Sequence, residues 1–406
     1  MANTNLTPTA VTREALRILH QKLNFVGTIN RSYDSSFGKS GAKIGDSLKI
    51  RLPNQYTVRS GAALSSQDVS ESSVTLQVAT QKGVDTTWTS DDLTLDIDDF
   101  GQRILEPAMS VLAANIESDA MSMYKDVYNH VTDVGATITS SDVLTASKVL
   151  TDNLAPYDQR CLNLNTQDNL DLVEALKGLY NDRNNLGKNY KEGRVASNTF
   201  GFSEIMENSM WPQHTTGTDD GTADYLVNDS GTIAEGSTSI TTDTGAGTFL
   251  IGDIFYFAGV YAVHPETKAT STKLKEFTVT ANSGTSATTI AFSPALYSSG
   301  AKQNVSAMPA NNAALHKNES DQSTDIGASA DYGVSLAYHK DAFCFATADL
   351  VMPKGVDFAA REVMDGISMR IVRDYSISAD TFPTRIDVLY GYKAIRPELA
   401  CRIQMN

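Results

Sequence analysis

Cysteine is nearly absent from this chain. Cys161, Cys344 and Cys401 are the only three, an odd number with no metal-ligand spacing. That excludes a disulfide framework and fits a reducing compartment. Long apolar runs are missing too. The longest, residues 249–263, is broken by Asp253 and is short of the ~20 residues that cross a bilayer. Residues 1–12 have no basic segment followed by an apolar core, so no secretory signal is expected. A soluble protein, made and used in the cytoplasm or in something assembled there, is the expectation, with no membrane partner. No dense basic stripe is present either, which argues against a dedicated reader of nucleic acid.

Catalytic signatures are equally scarce. Gly38-Lys39-Ser40 matches the end of a phosphate-binding loop, but the glycine required five residues earlier is Tyr33. Asp96, Asp98 and Gly101 fall at positions one, three and six of an EF-hand loop, yet Phe100 and Pro107 stand where oxygen ligands are needed. They read better as acidic residues at a helix start. Asp99-Phe100-Gly101 has none of the companion motifs of a kinase. There is no G-x-S-x-G, and His20, His130, His214, His264, His316 and His339 never pair at H-x-x-x-H spacing. No catalytic residue, metal site or cofactor is expected, although a triad assembled in space leaves no local signature.

What is present is ordinary globular composition, 41% hydrophobic and 20% charged, in a chain long enough for more than one core. The net charge of −15 is uneven. Residues 1–60 hold nine Lys/Arg against three Asp/Glu, a local +6, which leaves −21 on the remainder. A basic N-terminal segment on an acidic body suits an acidic partner or nucleic acid; a solvated arm with scattered charges is the alternative.

Residues 9–23 read as a short amphipathic helix with a Leu16, Leu19, Leu23 stripe and Arg13, Arg17 and Lys22 off it. Residues 24–46 show no period. Residues 47–56 and 73–90 alternate as strands, with Lys49 and Arg51 opposite Ile50 and Leu52, and Val74, Leu76 and Val78 on the return. An isolated hairpin is marginal in water, so support from another subunit or from the rest of the chain is expected. A long helix follows, residues 98–128, with Pro107 near its start and Ala108, Val111, Leu112, Ile116, Met123, Tyr124 and Val127 as an apolar face. Residues 142–153 and 167–181 look helical, the latter capped by Thr166, with a strand at 160–165 between them. From residue 225 Thr, Ser, Gly and Val dominate in short runs at 238–242, 253–263, 276–280 and 288–293, the pattern of a small all-β unit. Strand candidates resume at 343–348, 367–375 and 385–392. A β-rich island between mixed flanks reads as an inserted domain.

Several segments resemble one family. Leu112-Ala113-Ala114-Asn115-Ile116-Glu117 is similar to its spine-helix segment. Gly193-Arg194-Val195-Ala196 with Gly201-Phe202-Ser203-Glu204-Ile205 looks like a turn and short helix in its axial domain. Ile251-Gly252-Asp253-Ile254-Phe255, Phe257-Ala258-Gly259-Val260 and Phe277-Thr278-Val279-Thr280 look like its insertion barrel. Gly391-Tyr392 and Arg396-Pro397-Glu398 resemble its closing strand. Together, in this order over nearly the whole length, they resemble the major capsid (coat) proteins of tailed double-stranded-DNA phages. Within these the chain is similar to the P22-like branch, which carries an inserted β-barrel.

That resemblance implies an α+β, HK97-like capsid fold. Its parts would be an N-terminal arm (1–46), an extended β-hairpin loop (47–90), a peripheral domain with the spine helix (91–135 and 366–406), an axial domain (136–224 and 325–365) and the barrel (225–324). It implies a structural subunit forming pentamers and hexamers of an icosahedral shell. Partners would be further copies of itself, a scaffolding protein, a portal protein and, by weak non-specific contact, packaged DNA. An acid-tipped scaffold region could dock on the basic arm. Subunit-contact candidates are Lys49, Arg51 and Arg59 on the hairpin and Lys268, Lys273 and Lys275 on a charged loop of the barrel, which is otherwise a folding module for its own subunit. A tail-tube or decoration protein, and a cytoplasmic hydrolase with a β-domain, are the rival readings.

Overall fold

A computed structural model describes residues 8–31, 47–64, 66–67, 71–89, 106–176, 198–219, 221, 224–229, 233–317, 326–364 and 367–405. The motifs at Gly38–Ser40, Asp96–Gly101 and Gly193–Ala196 lie outside them. The chain folds as two compact units, Met1–Arg51 with Ser73–Ser122 and Phe343–Ile395, and Leu52–Ser72 with Met123–Ala342 and Arg396–Asn406.

The first unit is built on an antiparallel sheet. Its long strand, Thr381–Ala394, pairs along one side with Thr80–Thr89 and along the other with Phe343–Ala348 and Ile367–Arg373, and Phe358–Met364 completes it. Helix α1 (Pro8–Lys22) buries Ala15, Leu16, Ile18 and Leu19, which recur at helical spacing, while Arg13 and Arg17 face solvent. It packs on the last two strands and on the spine helix. Helix α2 is one turn, Phe25–Thr28. Beyond it Asn30 laces onto the free edge of Phe343–Ala348, donating to Phe343 O at 3.2 Å and accepting from Phe345 N–H at 3.1 Å.

The spine helix α3 spans Glu106–Met121 and relaxes into a 3-10 turn, Ser122–Asp126. Its expected start lies outside the described residues. Pro107 sits in the first turn, where its missing N–H has no helical partner to lose. Val111, expected on the buried face, is exposed; Met109, Leu112, Ala113, Ile116 and Ala120 form that face.

The two expected hairpin arms pair over part of their length. Ser47–Arg51 pairs with Ser73–Gln77. After Gln77 the return segment leaves its partner, and Thr80–Thr89 runs along Thr381–Ala394. Support for the hairpin base therefore comes from the same chain. Gly391 permits it: a Cβ there would stand 2.0 Å from Gln77 O, so any side chain would push the strands apart.

The second unit contains a mixed sheet in the order His130–Thr132, Ala400–Met405, Asp331–His339, Arg160–Leu164, Glu204–Glu207, with Gln213–Thr215 also on Asp331–His339. The first and last pairings are parallel. Helix α4 (Ser140–Asp152) packs on this sheet; Asp142 accepts from Thr139 N–H and Oγ1 at 2.8 and 2.7 Å at its start. Helix α5 (Thr166–Leu176) is capped by Asn165, not Thr166: Asn165 Oδ1 accepts Asp168 N–H at 2.7 Å. Glu204-Ile205, expected in a short helix, lie in a strand.

Between these elements the chain closes a six-stranded barrel: Ile254–Val263, Thr270–Val279, Thr289–Leu296, Ser237–Asp243, Tyr225–Val227, Ala314–Lys317. Alternation places Phe255, Phe257, Phe277 and Phe292 inside, with edge-to-face rings as close as 5.3 Å. The architecture is α+β with a small inserted barrel.

Candidate assembly surfaces

The hairpin base alternates as its sequence requires. Ile50 is buried, and Lys49 and Arg51 are exposed on the opposite face. Beyond Arg51 the chain forms a tip with internal fastenings. Gln67 makes two bonds to Thr57, accepting its N–H at 2.9 Å and donating to its carbonyl at 2.5 Å. The Arg59 guanidinium curls back to donate to Gly61 O and, at 3.0 Å, Ala63 O. Arg59, a contact candidate by sequence, is thus occupied in shaping its own loop. Among its exposed polar residues the tip presents three large apolar ones to solvent: Tyr56, Val58 and Leu64 are 58%, 94% and 89% exposed. A side chain such as Leu64 left in water forgoes ~1.5–3 kcal/mol of burial, and three of them on one short loop make a surface suited to another protein.

The barrel lysines behave differently. The strand that was expected to begin at residue 276 begins at Thr270, so Lys273 and Lys275 are strand residues and not loop residues. The exposed first half of that strand gives it no apolar alternation to read. Lys273 Nζ pairs with Glu276 at 2.5 Å, and Lys275 lies over the Tyr128 ring, 4.4 Å from its centroid. Burial lowers the Lys275 ammonium to about 8. Lys268 Nζ donates to the carbonyls of Ala301 and Gln303 at 2.7 and 3.3 Å. All three are engaged within their own unit.

Glu276 belongs to a buried polar junction between the barrel and the mixed sheet. Its carboxylate faces His130 Nδ1 at 3.3 Å and accepts the His130 N–H at 3.3 Å. Burial pushes the carboxyl up, but Lys273 and His130 outweigh it and hold it at about 2. Arg402, fully buried in the last strand, donates to Val127 O (2.6 Å), Gly252 O (2.6 Å), Lys125 O (3.3 Å) and Thr278 Oγ1 (3.0 Å). It joins the sheet to two barrel segments. Asp253, which interrupts the apolar run in the sequence, accepts His214 Nε2 at 2.9 Å, Gly217 N–H at 2.9 Å and Leu250 N–H at 2.8 Å. Tyr124 closes the chain on His214 Nδ1 at 2.9 Å.

Among the described residues this His–Asp pair has the spacing of a catalytic dyad, and its bonds tie segments of its own unit together. His214 and Asp253 are buried, burial lowers the imidazole, and the partner on its second nitrogen is a phenol whose own ionisation burial disfavours. Sequence reasoning passed over Arg402 and Glu276. The one local signal was a charge inside an apolar strand, Cys401-Arg402-Ile403. All three cysteines are buried, and burial pushes the Cys161 thiol up to about 12, far from a nucleophile. Among the described residues no three His, Cys, Asp or Glu side chains are grouped to hold a metal, and no helix is long and apolar enough to cross a membrane.

Residues 34–406 match the family model described as P22 coat protein, gene protein 5. No curated protein matches the chain. Among solved structures the chain is similar to one from Mycobacterium phage Che8, with 11% identity and a TM-score of 0.46 over 94% of this chain and 90% of that one. It is similar to the capsid structure of the cyanophage P-SCSP1u, with 11% identity and a TM-score of 0.44 over 89% and 84%. A third is the mature capsid of bacteriophage PhiM1, with 10% identity and a TM-score of 0.43 over 94% and 89%.

Proposed function

Because this chain belongs to the P22 coat protein family, and is a major capsid subunit that self-assembles into the virion shell, we propose that its hairpin tip makes the contacts that close subunits into pentamers and hexamers. Family membership sets aside the tail-tube and hydrolase readings. The observation that carries the proposal is the fastened tip, which displays Tyr56, Val58 and Leu64 while Gln67 and Arg59 fix its shape. A pre-shaped apolar loop loses less entropy on docking than a floppy one. Lys49 and Arg51, exposed on the hairpin base, meet the acidic surface of a neighbouring copy, where they steer encounter more than they hold it. Heterologous contacts of this kind close into rings.

The first compact unit is then the peripheral domain of an HK97-like subunit, and the second is the axial domain with its barrel. On this reading the two domains divide at 122/123, 342/343 and 395/396, where the compact units part, and Leu52–Ser72 of the hairpin groups with the second unit. The barrel stabilises its own subunit, and Lys268, Lys273 and Lys275 serve that end. A scaffolding protein and a portal protein are the further partners, with assembly in the host cytoplasm; the basic arm is the docking place for an acidic scaffold segment. DNA is touched weakly, since the acidic body repels phosphate. The test is negative-stain microscopy after co-expression with the scaffolding neighbour. Wild-type protein should give closed shells of uniform diameter, and the double variant Val58→Asp, Leu64→Asp should remain as soluble subunits. Shells of normal yield from the double variant would remove the tip from the contact.

A further inference from the structure

We infer that Glu117 is a proton-sensitive catch between the spine helix α3 and the start of α2, holding the arm more tightly below neutral pH than above it. Glu117 is fully buried on a helix otherwise packed through Met109, Leu112, Ala113 and Ile116. Its two carboxylate oxygens accept the N–H groups of Phe25 at 3.1 Å and Val26 at 3.3 Å, and the Asn24 N–H also bonds to it. These are the open donors at the start of α2, which have no partner within the helix itself. One carboxyl group therefore fastens the arm to the spine.

Among the described residues no cation is paired with it. On α1, Arg17 is paired with Glu14 at 2.6 Å and Arg13 faces Glu362 at 3.8 Å. On the adjoining strand Lys82 is paired with Asp119 of α3 at 2.8 Å, and Asp85 with Arg385 at 3.0 Å. Glu106 begins α3, and α2 carries no charged residue. The side chains of His20 and Lys22 lie outside the described residues. Among the described groups none acts on Glu117 by charge: burial raises the carboxyl to about 7, against the three N–H groups that lower it.

The sign follows from linkage. A carboxyl raised from 4.5 to about 7 on docking takes up a proton as the arm docks. Docking is then strongest below the free value, weakens as pH rises through the docked value, and levels off above it. The consequence reaches the sheet, because Asn30, five residues past the catch, covers the edge strand Phe343–Ala348. Loosening the arm uncovers that edge for pairing with another chain.

The test is amide hydrogen exchange on the full-length, unassembled subunit at about pH 5.5 and 8.5, corrected for intrinsic exchange rates. Protection at Phe25 and Val26 should fall on the order of tenfold between the two. The Glu117→Gln variant, which keeps one acceptor oxygen and cannot ionise, should show no such fall. A wild-type protein with unchanged protection, or a variant with the same fall, would overturn the inference. Should the variant fail to fold, carboxyl carbon NMR of the wild-type protein decides: one glutamate titrating near neutrality upholds the catch, and all of them titrating in the ordinary range contradicts it.

Discussion

The hairpin tip and the barrel junction use opposite chemistry. The tip fastens Arg59 and Gln67 within itself and turns Tyr56, Val58 and Leu64 outward. The junction turns Arg402, Asp253, Glu276 and His130 inward and gives each a partner within the same unit. The first arrangement leaves apolar surface for another chain to cover. The second is complete in the single subunit. Charged residues near each region are engaged within their own unit: Arg59 donates to carbonyls of its own loop, and Lys268 to carbonyls of the loop at Ala301–Gln303.

Breaking the junction should have the largest effect. Arg402→Met removes its donors from the Val127 and Gly252 carbonyls and its bonds to Lys125 O and the Thr278 hydroxyl, which costs ~3–5 kcal/mol for a buried charged group with several bonds. Urea unfolding of the unassembled subunit would measure it, and a loss under ~1 kcal/mol would mean that Arg402 does not hold the barrel to the sheet. Glu276 should show itself in acid. Its carboxyl is depressed to about 2 in the folded protein, so its contribution is fully present above its ordinary value, near 4.5, and is lost as pH falls through the depressed one. The swing is up to roughly 3 kcal/mol, and Glu276→Gln should flatten the acid limb of a stability–pH curve.

The tip should respond in the reverse sense. Val58→Asp with Leu64→Asp should leave subunit stability within ~0.5 kcal/mol, since both side chains already face water, while shell yield collapses. The smallest effects sharpen the contrast among the cations. Lys268→Ala should cost about 1 kcal/mol of subunit stability for its carbonyl bonds. Lys49→Ala should cost under ~0.5 kcal/mol and should alter the salt dependence of assembly instead.

The barrel was legible because the composition turns to short runs of Thr, Ser, Gly and Val; Thr289–Leu296 alternates, with Ile290, Phe292 and Leu296 inside, while Ile254–Val263 is apolar on both faces. Its second strand was read short because Thr270–Lys273 is exposed on both faces and has no period to detect. Helix α1 was legible from Leu16 and Leu19 alone. The fate of Thr80–Thr89 was not, because its partner lies about 300 residues away, at Thr381–Tyr390, and strand pairing depends on context that no local window holds. The junction was hidden for the same reason. Arg402 announces itself as a charge in an apolar strand, but its acceptors at residues 125, 127, 252 and 278 are scattered along the chain. Of the contact candidates, Lys49 and Arg51 are exposed as expected; Arg59, Lys268, Lys273 and Lys275 could be told apart only by the carbonyls, carboxylate and ring that engage them.

Hydrogen exchange compared between the unassembled subunit and assembled shells tests the division most directly. Residues 54–67 should gain protection on assembly, while the strands carrying Arg402 and Glu276 should be equally protected in both states. Protection gained at the barrel junction, with the tip still exchanging freely in the shell, would contradict the account.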